Sequence, residues 1–327
     1  MKSFLTLIRW QNLAIVILTM VLMRYAVIEP VIGKIGIILQ QGSGNEIPVT
    51  LQFSLFSFIL LVAATVFITA GGYVINDYFD IKTDLINKGK VIVGTRIERR
   101  QAMMLHNIFN LAGVLLGFYV SWRSGYLMTG IMFLIVSGLL YFYSASYKRQ
   151  FLIGNIIIAI LTALVPMIVG FYEWSALYRS YSVTAIRIPD FDFIFYWVGG
   201  FALFAFITTL TREIIKDIED YEGDIAYGRN TLPVIAGIIT SKVITSVLIV
   251  ITIALLYLVW YFFLFDKYTL IYISAFLVIP LIIVIVTVFR STDRKQMHSA
   301  SRMMKIVMLA GILYSLVVEG LLSWNLL

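Results

Sequence analysis

Apolar stretches about as long as a bilayer is thick, roughly 17 to 25 residues each, recur along the whole of this chain. They lie near residues 11–31, 53–76, 103–121, 125–147, 151–172, 193–215, 236–264, 268–289 and 304–324, and each predicts a helix. No single water-soluble core could absorb so much of them. Of the 327 residues, 61% are hydrophobic and 13% charged, with a mean hydropathy of +0.94; soluble domains are nearer half apolar and about a quarter charged. The bilayer must therefore act as solvent, and the expected fold class is all-α, a polytopic membrane protein with nine transmembrane helices. With no Pro/Ser-rich linker or charge block to divide it, residues 1–327 read as one membrane domain.

A net charge of +7 suits a nucleic-acid partner in a soluble protein. Here its distribution argues for the lipid bilayer as partner and against nucleic acid. Lys2, Arg9, Lys90, Arg149, Arg212, Arg229, Arg290 and Arg302 are among the many basic residues that fall on one side of the nine-helix plan. Arg24, Lys34, Arg123, Arg179, Arg187 and Lys267 fall on or towards the other. The positive-inside rule then places the N-terminus, and the segments after the second, fourth, sixth and eighth helices, in the cytoplasm. Lys2 and Arg9 before an apolar run imitate a signal peptide, but Arg24 interrupts the run and no small-residue cleavage site follows, so a retained first helix is expected. The absence of cysteine excludes disulfides and thiolate metal sites.

Acidic residues crowd two of the cytoplasmic segments. Asp77, Asp80 and Asp84 are spaced i, i+3, i+7, and Asp217, Asp220 and Asp224 repeat that spacing. Each triplet is followed by glycine (Gly89 and Gly94; Gly228) and then by another apolar helix, so the chain resembles a weak internal duplication whose halves face a shared cavity. On a helix, i, i+3 and i+7 share one face. Like charges held there repel, and desolvation near mid-membrane adds roughly 2.5–3.5 kcal/mol for each. Divalent cations relieve both. Oxygen ligands without His or Cys select magnesium, which binds through one or two carboxylates plus substrate phosphates. Two or three such ions around one diphosphate are expected, and Asn76 offers a neutral oxygen one turn before Asp80. Glu219 and Glu222 lie off the shared face and are expected to be solvated; Glu98 and Glu213 are expected to be structural.

The stretch NDYFDIKTD resembles the NDxxDxxxD signature of the UbiA superfamily of intramembrane prenyltransferases, and KDIEDYEGD with the following GRNTLPV is similar to that family's second motif. RWQN near the N-terminus, Gly154–Asn155 and the nine-helix plan extend the resemblance over most of the chain. It implies a bundle around a central cavity with a polar cytoplasmic cap and a side opening to lipid. It also implies that Asn76, Asp80 and Asp84, supported by Asp77, bind magnesium with diphosphate, and that Asp217, Asp220 and Asp224 do so from the other half.

A departing diphosphate also needs fixed cations. Lys88, Arg96 and Lys148 are the candidates, Lys148 with a catalytic part beside Asp80, Asp84, Asp217 and Asp220; Arg99, Arg100, Arg294 and Lys295 read as membrane anchors. Many family members carry YxxxK at the end of the fourth helix, whereas YSASYKR puts Ser144 four residues before Lys148. Phe67, Tyr73, Tyr141, Tyr143 and Phe206 are among the aromatics that could face an allylic cation. His106 and His298 read as interfacial. The expected chemistry is transfer of a prenyl group from a polyprenyl diphosphate to a lipophilic acceptor. Ile81 stands where hydroxybenzoate-type members usually carry arginine, and the second motif looks more like the branch acting on geranylgeranylglycerol phosphate. An aromatic acceptor of quinone biosynthesis is the alternative within the family, and a cation transporter the alternative outside it.

Overall fold

The computed structural model describes residues 2–37, 47–89, 91–185 and 189–323, apart from the side chains of Lys2, Ile37, Lys88 and Thr184. Lys90 and Arg187, weighed above, lie outside the described residues, as do the side chains of Lys2 and Lys88. Nine helices among the described residues are long and apolar enough to cross a membrane: α1 (Trp10–Ile32), α2 (Leu55–Phe79), α3 (Arg99–Arg123), α4 (Leu127–Ala145), α5 (Ile153–Val183), α6 (Phe193–Glu219), α7 (Ile238–Leu264), α8 (Lys267–Arg290) and α9 (Arg294–Ser323). The expected all-α, nine-helix fold class is the one observed.

Local chemistry sets several helix ends. Ser54 caps α2 by accepting from the Ser57 amide, and Glu98 with Gln101 forms a reciprocal capping box at α3. Glu98 is thus structural, as its sequence context suggested. In α1 a π-helical stretch, Met23–Ile28, precedes Pro30, and in α8 another, Ile273–Val278, precedes Pro280. Proline withholds an N–H and crowds the carbonyl four residues back, and widening the preceding turn accommodates both.

Two helices outrun their sequence-based bounds. α5 continues to Val183 because its polar extension is buried rather than wet. Glu173 there accepts from the amides of Gln52 (2.6 Å) and Phe53 (3.0 Å) and faces Arg24 at 3.9 Å. Arg24, which breaks the apolar run of α1, donates to the Phe53 carbonyl and lies over the Phe58 ring at 4.6 Å. α9 begins at Arg294, ten residues early, because Met297, Ala300 and Ser301 are buried while Arg294 and Arg302 are exposed. Hydropathy alone misses a helix that leaves the apolar layer.

Among the described residues two large cores, with two smaller clusters beside them, hold the bundle. One joins α1, α2 and α5 with parts of α3, α4 and α6 around Met20, Leu61, Val120, Phe133 and Tyr172. The other joins α6 to α9 around Ile214, Ile249, Leu281 and Met304. Outward faces carry Leu55, Ile59, Leu111, Leu115, Ile239, Val250 and Phe263, all exposed. An apolar exterior of this extent suits lipid and not water. Beyond α1, Gly36–Ile37 pairs antiparallel with Ile47–Pro48 in a two-stranded ribbon.

Candidate active site

Both acidic motifs open onto one cavity of about 1190 Å³ between the two cores. Asn76, Asp77, Asp80 and Asp84 line it from one half, and Asp217, Asp220 and Asp224 from the other. Further in, the lining turns apolar, with Met23, Ile68, Phe133, Val165, Phe204 and Ile312. The chamber is amphiphilic, with charge at one end and grease behind it.

Neither triplet sits on one continuous helix. α2 ends at Phe79, and Asp80 (φ −90°, ψ 0°) turns the chain into a short helix, Ile81–Lys88. Asp220 (φ −98°, ψ 11°) does the same between α6 and the short helix Tyr221–Ala226. The middle aspartate of each motif thus sits in the same sparsely populated bridge region. Gly89 and Gly228 then adopt left-handed backbones with φ of 63° and 61°, ending both segments alike. The short helices meet at Gly223, where an added Cβ would fall 2.4 Å from Asn87 Oδ1 and force that side chain to move.

Cations occupy the space between the motifs. Lys148 Nζ lies 2.7 Å from Asp80 Oδ1 and donates to Asn76 Oδ1 at 3.2 Å. Arg229 joins the halves: its Nη2 is 2.6 Å from Asp80 Oδ1 and donates to Thr83 at 2.8 Å, while its Nη1 is 3.4 Å from Asp224 Oδ1. Asp224 also accepts from Thr231 at 3.1 Å, and Asp217 accepts from Asn155 at 2.7 Å. Asp77 pairs with Arg9 at 2.9 Å and Asp220 with Arg294 at 3.2 Å. Burial alone would raise the Asp80 pKa, yet contact with Lys148 and Arg229 holds it at about 2. Burial lowers Lys148 to about 8 against the pull of Asp80. Asp224, also buried, is pushed up to about 6 although Arg229 and Thr231 oppose the rise.

These contacts correct the expectation that three carboxylates of a motif project together. Among the described residues no group of three or more acids or histidines stands close enough to hold a metal ion. The break at each middle aspartate and the intervening Lys148 and Arg229 keep the acids apart. The donor set still fits magnesium, which takes hard oxygens from one or two protein carboxylates and the rest from phosphates and water. Six aspartates and Asn76 supply such oxygens around a space large enough for a diphosphate.

Other placements differ from expectation. Arg96 is exposed on the turn after Ile92 and does not border the cavity, because the Arg96 amide folds back to the Ile92 carbonyl at 2.9 Å. Glu219 is not solvated; it meets His298 at 2.9 Å on the cavity wall. Glu222 is exposed, as expected. His106 is buried, not interfacial, with Nδ1 2.9 Å from the Gly71 carbonyl oxygen. Arg294, read as an anchor, reaches Asp220. Tyr73 and Tyr143 line the chamber, whereas Phe67 stacks on Phe109 and Tyr141 packs edge-on against Phe79. Arg229, Asn155 and Arg9 are the residues that spacing arguments gave no role. Their signals were present, in GRNTLPV, the Gly154–Asn155 pair and RWQN.

An apolar bundle around an amphiphilic chamber, with carboxylates and fixed cations at one end, defines a polytopic membrane protein with an acidic, cation-bordered site inside it. The chain belongs to the UbiA prenyltransferase family, which residues 47–309 match. It is therefore an enzyme that transfers prenyl groups, and the transporter alternative falls. The digeranylgeranylglyceryl phosphate synthase of Methanosphaera stadtmanae is 33% identical over 259 residues, 77% of this chain and 84% of the relative. That of Sulfurisphaera tokodaii is 31% identical over 256 residues, 78% and 83%. Among solved structures, a digeranylgeranylglyceryl phosphate synthase shares the fold with a TM-score of 0.63 at 24% identity, covering 97% of this chain and 98% of that one. A UbiA homolog from Archaeoglobus fulgidus bound to DMAPP and Mg2+ does so at 0.55 and 17% identity, covering 96% and 99%.

Proposed function

We propose that this chain, acting over residues 1–327 as one membrane domain, catalyses magnesium-dependent transfer of a geranylgeranyl group from its diphosphate to a glycerol hydroxyl of geranylgeranylglycerol phosphate. One observation carries the chemistry: both aspartate motifs face the same chamber, and its interior is apolar. The acceptor follows the named relatives, which match most of the chain at above 30% identity.

Asn76, Asp77, Asp80 and Asp84, with Asp217, Asp220 and Asp224, are the residues that would hold two or three magnesium ions, which neutralise charge gathering on the leaving diphosphate. Lys148 and Arg229 add fixed positive charge where the carbon–oxygen bond breaks. Lys88 stays in this set through its place after the first motif. The apolar depth holds the prenyl tail and keeps water from the electron-poor carbon, so the acceptor hydroxyl is the nucleophile at hand. The acidic end faces the cytoplasm, following the lysine and arginine bias of its loops.

The test is turnover of purified protein in detergent with geranylgeranyl diphosphate, magnesium and a panel of acceptors, read by mass spectrometry. Ether product from geranylgeranylglycerol phosphate is expected, with diphosphate release lost when magnesium is chelated. Product from an aromatic acceptor alone would replace this reading of the acceptor.

A further inference from the structure

On the wall formed by α6, α9 and the start of α1, a second set of cations lines the chamber apart from Lys148 and Arg229: Arg9, Arg212, Lys216 and Lys305. Asp77 pairs with Arg9, and Glu213 pairs with both Arg212 and Lys216 at 2.8 Å. With Asp217 lining the chamber beside Lys216, these four cations stand against three carboxylates, and the wall keeps an excess of positive charge. Lys305, beside Asn12 at 3.5 Å, adds its charge to a wall that already holds the other three. Arg212 is mostly buried and Lys305 is exposed, yet both line the chamber, and like charges gathered on one wall raise each other's free energy until an anion joins them. Arg212 Nε is moreover buried with no hydrogen-bond partner among the described residues, an unmet donor on a side chain that lines the chamber.

The geometry points to a binding site for a phosphate monoester, the head group of the acceptor, at Arg9, Arg212, Lys216 and Lys305. It rests on the acceptor proposed above. A phosphate monoester carries about −1.5 to −2 charges at pH 7, an anion that such an excess attracts. The helices continue the fit. Along α9 the cavity face runs from Lys305 to Met308, Leu309 and Ile312, and along α6 from Arg212 back to Thr208 and Phe204. The two helices close at Gly311, where a Cβ would sit 2.1 Å from the Phe204 ring. Cations at one end of a stripe and apolar side chains along it describe a phosphate with an isoprenoid tail. The position also suits the reaction. The acceptor hydroxyl is only a few bonds from its phosphate and must come within about 3–3.5 Å of the reacting carbon. Arg9 bridges the two anion sites, since its partner Asp77 adjoins Asn76 of the first motif.

The test uses the full chain in detergent with magnesium and geranylgeranyl diphosphate, and compares geranylgeranylglycerol phosphate with geranylgeranylglycerol, which lacks the phosphate. Lys305→Gln and Arg212→Gln should each raise KM for the phosphorylated acceptor roughly tenfold, leave KM for geranylgeranyl diphosphate in place, and shrink the preference for the phosphorylated acceptor. Lys305→Arg should restore most of it. Glycerol 1-phosphate should inhibit the unmodified enzyme competitively against the acceptor and not against geranylgeranyl diphosphate, a readout independent of any variant's folding. A rise in KM for geranylgeranyl diphosphate would make the wall a second diphosphate pad and overturn the assignment. So would equal losses on both acceptors, or inhibition that does not compete with the acceptor. If the unmodified enzyme ignores geranylgeranylglycerol phosphate yet prenylates an aromatic compound, the proposed acceptor itself is wrong, a result distinct from these.

Discussion

Asp80 and Asp220 occupy the same step of two motifs with the same spacing, and each breaks its helix in the same backbone region. Their side chains live differently. That of Asp80 is 11% exposed and contacts Lys148 and Arg229, themselves 6% and 12% exposed. That of Asp220 is 28% exposed and pairs with Arg294, which is 39% exposed. The backbone geometry of the two motifs is alike while their charge balance differs. The middle acid of the first motif draws its counter-cations from elsewhere, Lys148 after α4 and Arg229 from the other half, whereas Asp220 meets the half-exposed Arg294 of α9. Two motifs of one backbone geometry thus present two unequal charge environments to the proposed diphosphate.

The strongest way to break this comparison is to remove each middle acid. Asp80→Ala and Asp220→Ala should both lower turnover by on the order of a thousandfold, the scale of losing a group that stabilises transition-state charge. Magnesium-dependent diphosphate release in detergent measures it. If either variant kept a tenth of the activity, the two motifs would not share the work.

Stability should separate what activity does not. Asp80→Asn strips a carboxylate from a buried contact with two cations, a change that costs about 3–5 kcal/mol. Asp220→Asn loses a partly solvated pair worth about 0–1 kcal/mol. Denaturant unfolding in detergent should rank the two in that order, and equal losses would mean that the Asp80 contacts are as weak as surface ones.

Arg229 links the halves directly, since it reaches both Asp80 and Asp224. Arg229→Gln should reduce kcat/KM by about a hundredfold, the low end for one lost electrostatic contact at a reacting centre. Mass-spectrometric product assays over a range of diphosphate concentration would detect it. A variant within a few-fold of the unmodified enzyme would mean that the arginine only packs the short helices together.

How far the sequence reaches follows from these same residues. The helix count and the two motifs are local patterns, with apolar runs of bilayer length and acids at i, i+3, i+7, and both are legible without a structure. What Arg229 touches is not, because Asp80 lies 149 residues away and their meeting depends on how the two halves pack. Arg96 shows the reverse error. Proximity in sequence to the first motif suggested a phosphate contact, but the turn over 92–97 carries its side chain outward. Helix ends failed where polar residues were buried, as at Glu173 in α5, since a hydropathy scale cannot know that an amide will meet a carboxylate.

The smallest expected effect sharpens the comparison from inside the second motif. Glu222 lies between Asp220 and Asp224, and its side chain is exposed, while Glu219, one residue before Asp220, turns inward to His298. If acidity alone made this segment work, Glu222→Gln would weaken it. If placement matters, the change should stay within about 0.5 kcal/mol in stability, as surface substitutions do, and within about twofold in kcat/KM. A tenfold loss would show that charge near the mouth acts at a distance, and the site would then extend past the residues that line the chamber.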